Sequence, residues 1–297
     1  MAPQAPTRPA PTPKPLRGQR ILSLALNLPG PAALMRLRAM GAACTKVEGP
    51  AGDPMALYKP VAYDEMHTGI KQVKADLKTE AGQKKLHGLL ATTDVLLTSF
   101  RPSALNKLGL GWKALHKAYP QLNLIAIVGA PGARAEEPGH DLTYMADNGL
   151  VTGLDLPPSL FADMGGALMA VEATLQAVLL RQAKGKGVQF DVALSEAARW
   201  LALPRHWGLT LPSGSVGGAH AGYRVYPCKD GRVAVAALEP HFAAALCDAA
   251  GVAVKDMRAL FAPVTHAAIA AFLAGQTRKQ LDKLAVARDI PLHTLPR

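Results

Sequence analysis

The sequence predicts an α/β protein, with a large domain built on a parallel sheet and a smaller α+β domain after it. Three observations carry this. Short apolar runs alternate with segments of helical period through most of the chain, the signature of βαβ units. From Gly217 onward the pattern changes to two strand runs joined by a tight turn. The 297 residues are 49% hydrophobic and 19% charged, ample apolar sequence for a real core.

Residues 1–18 repeat proline (PAPTPKP) and are expected to form a disordered leader, because proline removes the N–H donors that helices and central strands need. The large domain is placed at residues 19–204. ILSLALN (Ile21–Asn27) reads as a buried strand ending at Pro29-Gly30-Pro31, and AALMRLRAMGA as a helix stopping at Gly41. CTKVEG is the next strand and VKADLK (Val73–Lys78) a third, followed by the helical EAGQKKLHGLLATT. DVLLTSF (Asp94–Phe100) is a buried strand, with a short helix after Pro102, another over Trp112–Tyr119, and a further strand at Leu122–Ala130. A Gly/Pro-rich loop leads to Gly139-His140-Asp141 and a helix from about Leu142. The loop GLDLPPSLF then precedes a long helix from Asp163 to about Ala183, and GKGVQFDVAL returns as a strand. The small domain, 205–297, holds YRVYPC, the turn Lys229-Asp230-Gly231 and RVAVAAL, and an Asp-Gly turn between strand runs signals a hairpin. No internal repeat is visible.

Composition narrows the partners. Part of the formal charge of +11 lies in the leader, where Arg8, Lys14, Arg17 and Arg20 are unopposed by acids; the rest is scattered. A nucleic-acid binder would show a basic stripe interleaved with aromatics, yet aromatics are 5% and no reading motif occurs. No nucleic-acid partner is therefore expected. A polyanionic small ligand, a nucleotide or coenzyme A, fits the modest positive field, as does a basic surface with no partner. Cys44, Cys228 and Cys247 stand far apart, without a CxxC pair or metal-ligand spacing, so reduced thiols, a cytoplasmic location and no metal are expected. The most apolar long segment carries Asp163 and Glu172, and the N-terminus lacks the apolar region of a secretory signal, so no membrane association is expected.

Familiar nucleotide and hydrolase motifs are missing. Gly109-Leu110-Gly111 follows a helix rather than a strand, and there is no Walker lysine, HExxH or GxSxG. Two polar clusters remain in loops beside predicted strands: His140-Asp141, and Asp163 at a helix start before Gly165-Gly166. Ligands of open α/β sheets gather at such loops. Alone, Asp163 reads more readily as a helix cap worth about 1 kcal/mol, and His140 more readily as a structural histidine than a catalyst. Two glycines in a first helical turn cost roughly 1 kcal/mol each, and they suit a place where a ligand or another backbone comes close.

Together the ordered motifs resemble the class III CoA-transferases, the family that also contains α-methylacyl-CoA racemase, from about Gln19 to Leu295. GPAALMRLRAMGAACTKVEGP is similar to the family's first helix and second strand. GIKQVKADLKTEAGQKKLHGLLATTDVLLTSFRPSALNKLGLGWKAL resembles its DLK, ADVL, FRPG and LGLG succession almost without gaps. PGHDLTYMADNGLVTG, FADMGGALMAVEATLQAVLLRQAKGKGVQFDVALSEA and YRVYPCKDGRVAVAALEPHF follow in family order.

The resemblance implies an interlocked homodimer of two-domain subunits, a Rossmann-like large domain that holds coenzyme A, and no cofactor beyond the coenzyme A of an acyl-CoA substrate. It makes Asp163 the essential aspartate. In the transferases that carboxylate attacks the thioester and forms an acyl anhydride, then an enzyme–CoA thioester. In the racemases it works opposite a histidine, moving a proton at the α-carbon through an enolate. Gly139-His140-Asp141-Leu142-Thr143-Tyr144 matches the racemases' Gly-His-Asp-x-x-Tyr, which points to His140 as the second base and to Glu239, in LEPHF, as the residue that holds it. By the same resemblance Arg101 approaches the phosphates or adenine of coenzyme A. Lys71, Gly139, Asp141, Tyr144, Gly165 and Gly166 complete the implied binding set, with N–H groups after Asp163 as donors to the enolate oxygen. Departures from the family are a shorter His140–Asp163 interval, Gly49 where an arginine is common, and an end at IPLHTLPR without the family's long C-terminal segment. The leading expectation is racemisation of a 2-methylacyl-CoA or a related thioester. The alternatives are transfer of coenzyme A between carboxylic acids, and a catalytically reduced CoA-binding protein.

Overall fold

The computed structural model describes residues 13–253 and 256–297, which fall into two compact units divided between Ala202 and Leu203. Most of the expected leader lies outside the described residues. Residues 13–18 correct its end: Leu16 is buried in the core and its N–H donates to the Met40 carbonyl at 3.0 Å. One apolar side chain with a place in the core is enough to tie this proline-rich segment down.

The first unit is built on six parallel strands: β1 (Arg20–Ser23), β2 (Ala43–Glu48), β3 (Lys71–Lys74), β4 (Val95–Thr98), β5 (Asn123–Val128) and β6 (Gln189–Ala193), in the order β3-β2-β1-β4-β5-β6. This confirms the α/β reading. β4 and β5 are buried along their whole length, as strands covered on both faces must be. Alternate residues serve opposite layers. Ile21, Val95, Leu97, Ile125 and Ile127 pack with the helices Pro29–Ala39 and Phe161–Lys184. Leu22, Leu96 and Leu124 face the other way, towards the helices Glu80–Leu90 and Trp112–Ala118.

Several boundaries differ from the sequence reading. The first ladder ends at Ser23; beyond it only Leu24 bonds to Leu97, at 2.8 Å, before the chain leaves the sheet. Pro29 opens the first helix instead of closing a strand, because a proline at N1 loses no helical hydrogen bond. The third strand is Lys71–Lys74, not Val73–Lys78, since Asp76 starts a turn by accepting the Lys78 N–H at 3.0 Å and Thr79 caps the next helix through the Gly82 N–H at 3.1 Å. Two short helices, Met55–Tyr58 and Pro60–His67, fill the β2–β3 connection and were not anticipated. The helix Phe161–Lys184 is long and apolar enough to cross a bilayer, and it buries Ala162, Ala170, Thr174, Ala177 and Val178 within this unit.

The second unit carries an antiparallel sheet of β7 (Tyr223–Cys228), β8 (Gly231–Ala236) and β9 (Leu292–Leu295). The predicted hairpin is present, with Cys228 opposite Gly231 across Lys229 and Asp230. The closing residues, read from sequence only as a tail, supply β9. The helices Pro240–Ala249, Pro263–Ala274 and Arg278–Arg288 pack with this sheet through Leu246, Ile269, Leu273 and Leu281.

Candidate active site

Strand order reverses between β1 and β4. The chains leaving their carboxyl ends part there, which leaves a crevice in any open α/β sheet. In this protein it is a cavity of about 190 Å³. Leu26 and Asn27 reach it from β1, Ser99, Phe100 and Arg101 from β4, and Val128 and Gly129 from β5. His140 and Tyr144 enter from the following loop and helix, and Asp163 from the long helix. Residues far apart in the chain, including the expected pair His140 and Asp163, thus share one space.

Asp163 corrects the helix-cap reading. The long helix starts at Phe161 with Leu160 before it, so Asp163 stands within the first turn, and Leu160 offers no capping side chain. The Asp163 N–H instead donates to the Asp141 carboxylate at 2.9 Å. Burial pushes the Asp163 carboxyl up to about 6, the neighbouring Asp141 charge adds to this, and His140 partly offsets it. His140 precedes the helix Asp141–Asp147, where its N–H donates to Thr143 Oγ1 at 3.1 Å, and its side chain is exposed.

Tyr144 is 8% exposed and wedged between two glycines. A Cβ on Gly129 would stand 2.3 Å from its hydroxyl, and one on Gly139 would stand 2.6 Å from both hydroxyl and ring. Burial raises the Tyr144 hydroxyl's pKa, and the Asp163 charge adds to this. Gly139 therefore serves by clearance for the ring. Gly165 and Gly166 do not line the cavity; their neighbours are side chains of the helix Leu194–Leu201, with Leu194 Cδ2 only 2.2 Å from a Cβ built on Gly166. Their place in the binding set is corrected accordingly: helix packing accounts for them. Lys71 is corrected too, because it opens the edge strand β3 at its amino end, away from the carboxyl ends where the cavity lies. Arg101, just before the helix Pro102–Lys107, lines the cavity. Glu239 belongs to the second unit, just before the helix Pro240–Ala249.

A second cavity, of about 370 Å³, adjoins the first and shares Leu26 and Phe100 with it. It runs over the carboxyl ends of β1, β2 and β3, past Val47 and Gly49 to Asp76, Leu77 and Lys78. The two make a groove along the carboxyl ends of the strands, from Asp163 to Lys78.

Beside this groove lies a buried ionic network that sequence reasoning missed. Lys46 and Glu48 share one side of β2. The Lys46 ammonium, fully buried, bonds to Asp53, to His67 Nε2 at 2.9 Å and to Glu48 at 3.3 Å. Glu48 also accepts from Tyr63 at 2.6 Å and Lys74 at 2.7 Å. Burial alone would raise the Glu48 carboxyl, but these hydrogen bonds and the Lys46 charge outweigh it and hold it at about 2. Glu48, Asp53 and His67 are metal-ligand types with donor atoms within 4.8 Å of one another, but the cation among them is the chain's own Lys46. Two charged residues alternating in an otherwise apolar strand were the signal that could have revealed the network. Asn27 and Gly129 also line the cavity and were not singled out from the sequence; Asn, after glycine, most readily takes the left-handed backbone that Asn27 adopts.

Comparison with known proteins places this architecture. The model of CoA-transferase family III matches residues 16–296. A Mycobacterium tuberculosis protein named "Probable fatty acyl-CoA transferase" is 32% identical over 207 residues, 62% of this chain and 52% of the relative. Human alpha-methylacyl-CoA racemase is 30% identical over 247 residues, 76% of this chain and 62% of the relative. A crystal structure of a Mycobacterium tuberculosis protein superposes with a TM-score of 0.81 at 26% identity, covering 95% of this chain and 85% of that one. The chain spans about half the length of the first curated relatives it matches. With the family model covering nearly the whole sequence and the same fold in a solved relative, this chain belongs to CoA-transferase family III.

Proposed function

We propose that the protein binds an acyl-coenzyme A in the groove and moves a proton at the α-carbon of its acyl group, with Asp163 and His140 as the two bases. One observation carries this reading: Asp163, with a carboxyl pKa of about 6, shares a single cavity with His140. A base that exchanges protons near neutral pH needs a pKa near that pH, and burial beside Asp141 supplies it. The thioester's nucleotide end would extend over Gly49 and the Asp76–Lys78 turn, with Arg101 on the Asp163 side for anionic or carbonyl oxygens. The N–H groups expected from the sequence to meet the enolate oxygen are committed, that of Asp163 to Asp141 and that of Met164 to the Leu160 carbonyl at 3.0 Å.

A second reading is supported by the transferase named among the relatives: Asp163 as a nucleophile that takes the acyl group and then coenzyme A. Both readings use Asp163, and only the first needs His140. The test is deuterium incorporation from D2O into one epimer of a 2-methylacyl-CoA, followed by mass spectrometry. Incorporation with loss of stereochemistry that collapses in His140→Ala supports proton transfer. Absence of exchange, with an acyl or CoA adduct trapped on Asp163, moves the assignment to transfer.

A further inference from the structure

Two non-glycine residues adopt a left-handed backbone among the described residues, and one of them, Asn27 (φ 62°), lines the cavity. Asparagine, after glycine, takes this conformation most readily. The surroundings hold it firmly. The Asn27 N–H donates to both Asp53 oxygens, at 3.1 and 3.2 Å, and Asp53 is anchored by the Lys46 ion pair and the Met55 N–H. With its N–H taken, Asn27 keeps its side-chain amide, which has no hydrogen-bond partner among the described residues and belongs to an exposed residue of the cavity. The buried network thus holds Asn27 at the cavity beside Asp163.

The cavity limits what that amide can meet. It is small, about 190 Å³, which favours a short acyl group over a long one. Ser99 Oγ accepts the Leu26 N–H at 3.1 Å and keeps only its O–H to donate. His140 and Asp163 are reserved for proton transfer. Asn27 is the one side-chain amide among the residues that line the cavity, able both to donate and to accept. We propose that Asn27 is a specificity-determining residue that hydrogen-bonds a polar substituent, a hydroxyl or a carbonyl, on a short acyl group. The proposal rests on the acyl-CoA reading above and names the kind of acyl group it takes.

The test is isothermal titration of the full chain, wild type and Asn27→Gly, with 3-hydroxybutanoyl-CoA, butanoyl-CoA and free coenzyme A. Glycine accepts the left-handed backbone, so the variant loses the amide without backbone strain, and a thermal melt checks that it is folded. A neutral hydrogen bond is worth roughly 0.5–1.5 kcal/mol, so the wild type should prefer the hydroxylated ester by about 3- to 10-fold. In Asn27→Gly the preference should fall to within about twofold. Equal affinities in the wild type, or a preference that survives Asn27→Gly, overturns the role of Asn27 while leaving the acyl-CoA reading standing. Failure of the wild type to bind either ester or coenzyme A overturns the acyl-CoA reading and the proposal together.

Discussion

Lys46→Met keeps the length and apolar stem of a fully buried side chain and deletes its charge. Its partners respond differently. Glu48 retains Tyr63 and Lys74, so it loses little. Asp53, fully buried, is left with the backbone N–H groups of Asn27 and Met55 and no counter-charge. Removing one partner of a buried ion pair costs about 3–5 kcal/mol. In a unit of this size each kcal/mol lowers Tm by about 2–4 °C, so the melt should fall by roughly 6–20 °C. Adding Asp53→Asn removes the orphaned charge and keeps an oxygen for the two N–H donors. The double variant should therefore recover about 2 kcal/mol relative to Lys46→Met alone. Urea unfolding followed by circular dichroism at pH 7.5, on both single variants and the double, closes the cycle. Additive effects, or a Lys46→Met variant within about 1 kcal/mol of wild type, would show that the ion pair does not hold this corner of the sheet and refute the reasoning.

Asp163→Asn should abolish turnover yet stabilise the fold. The carboxyl's folded pKa, about 6, lies above its ordinary 3.8, so its ionised form is disfavoured in the native state and stability falls as pH rises through that window. The relief at pH 8 should be on the order of 2–3 kcal/mol, read as a raised Tm that shrinks towards pH 4. Burial holds the His67 pKa below its ordinary 6.5, a shift the Lys46 charge reinforces; its stabilising effect is complete above 6.5 and lost as pH falls below it. His67→Gln should accordingly flatten the acid limb of a Tm-against-pH curve, and an unchanged limb would assign that loss to other groups. Gly139→Ala drives a Cβ into the Tyr144 ring; overpacking costs about 1–3 kcal/mol, and the displaced ring should cut kcat/KM for the preferred thioester by about 10- to 100-fold. Equal kinetics would mean that Tyr144 lies outside the reacting geometry.

Much of the fold was legible in the sequence because its evidence is local. The fully apolar runs of β4 and β5, the helical periods between strands and the Asp230-Gly231 turn each bias their own segment, whatever surrounds them. Errors fell where neighbours within the chain competed for a boundary: Asp76 and Thr79 ended β3 early, and Pro29 began a helix. Of the site, the Gly-His-Asp segment, Asp163 and Arg101 could be picked out, because these residue types stand in ordered motifs. Gly165 and Gly166 were misjudged because a glycine reports only that something is close, and here that is the helix Leu194–Leu201.

The sequence by itself determined the alternation of strands and helices, the small domain's hairpin and the family, all readable from short segments in fixed order. Only the tertiary structure decided which segments meet. Strand order put the ends of β1 and β4 beside Asp163, the approach of Asp141 and burial set that carboxyl's pKa, and the β2–β3 connection brought Asp53 and His67 to Lys46. The last residues became β9 by pairing with a strand more than fifty positions earlier. The physical reason is common to all of these: such contacts arise when long loops close, and their energies depend on burial and on partners that no local pattern of residues specifies.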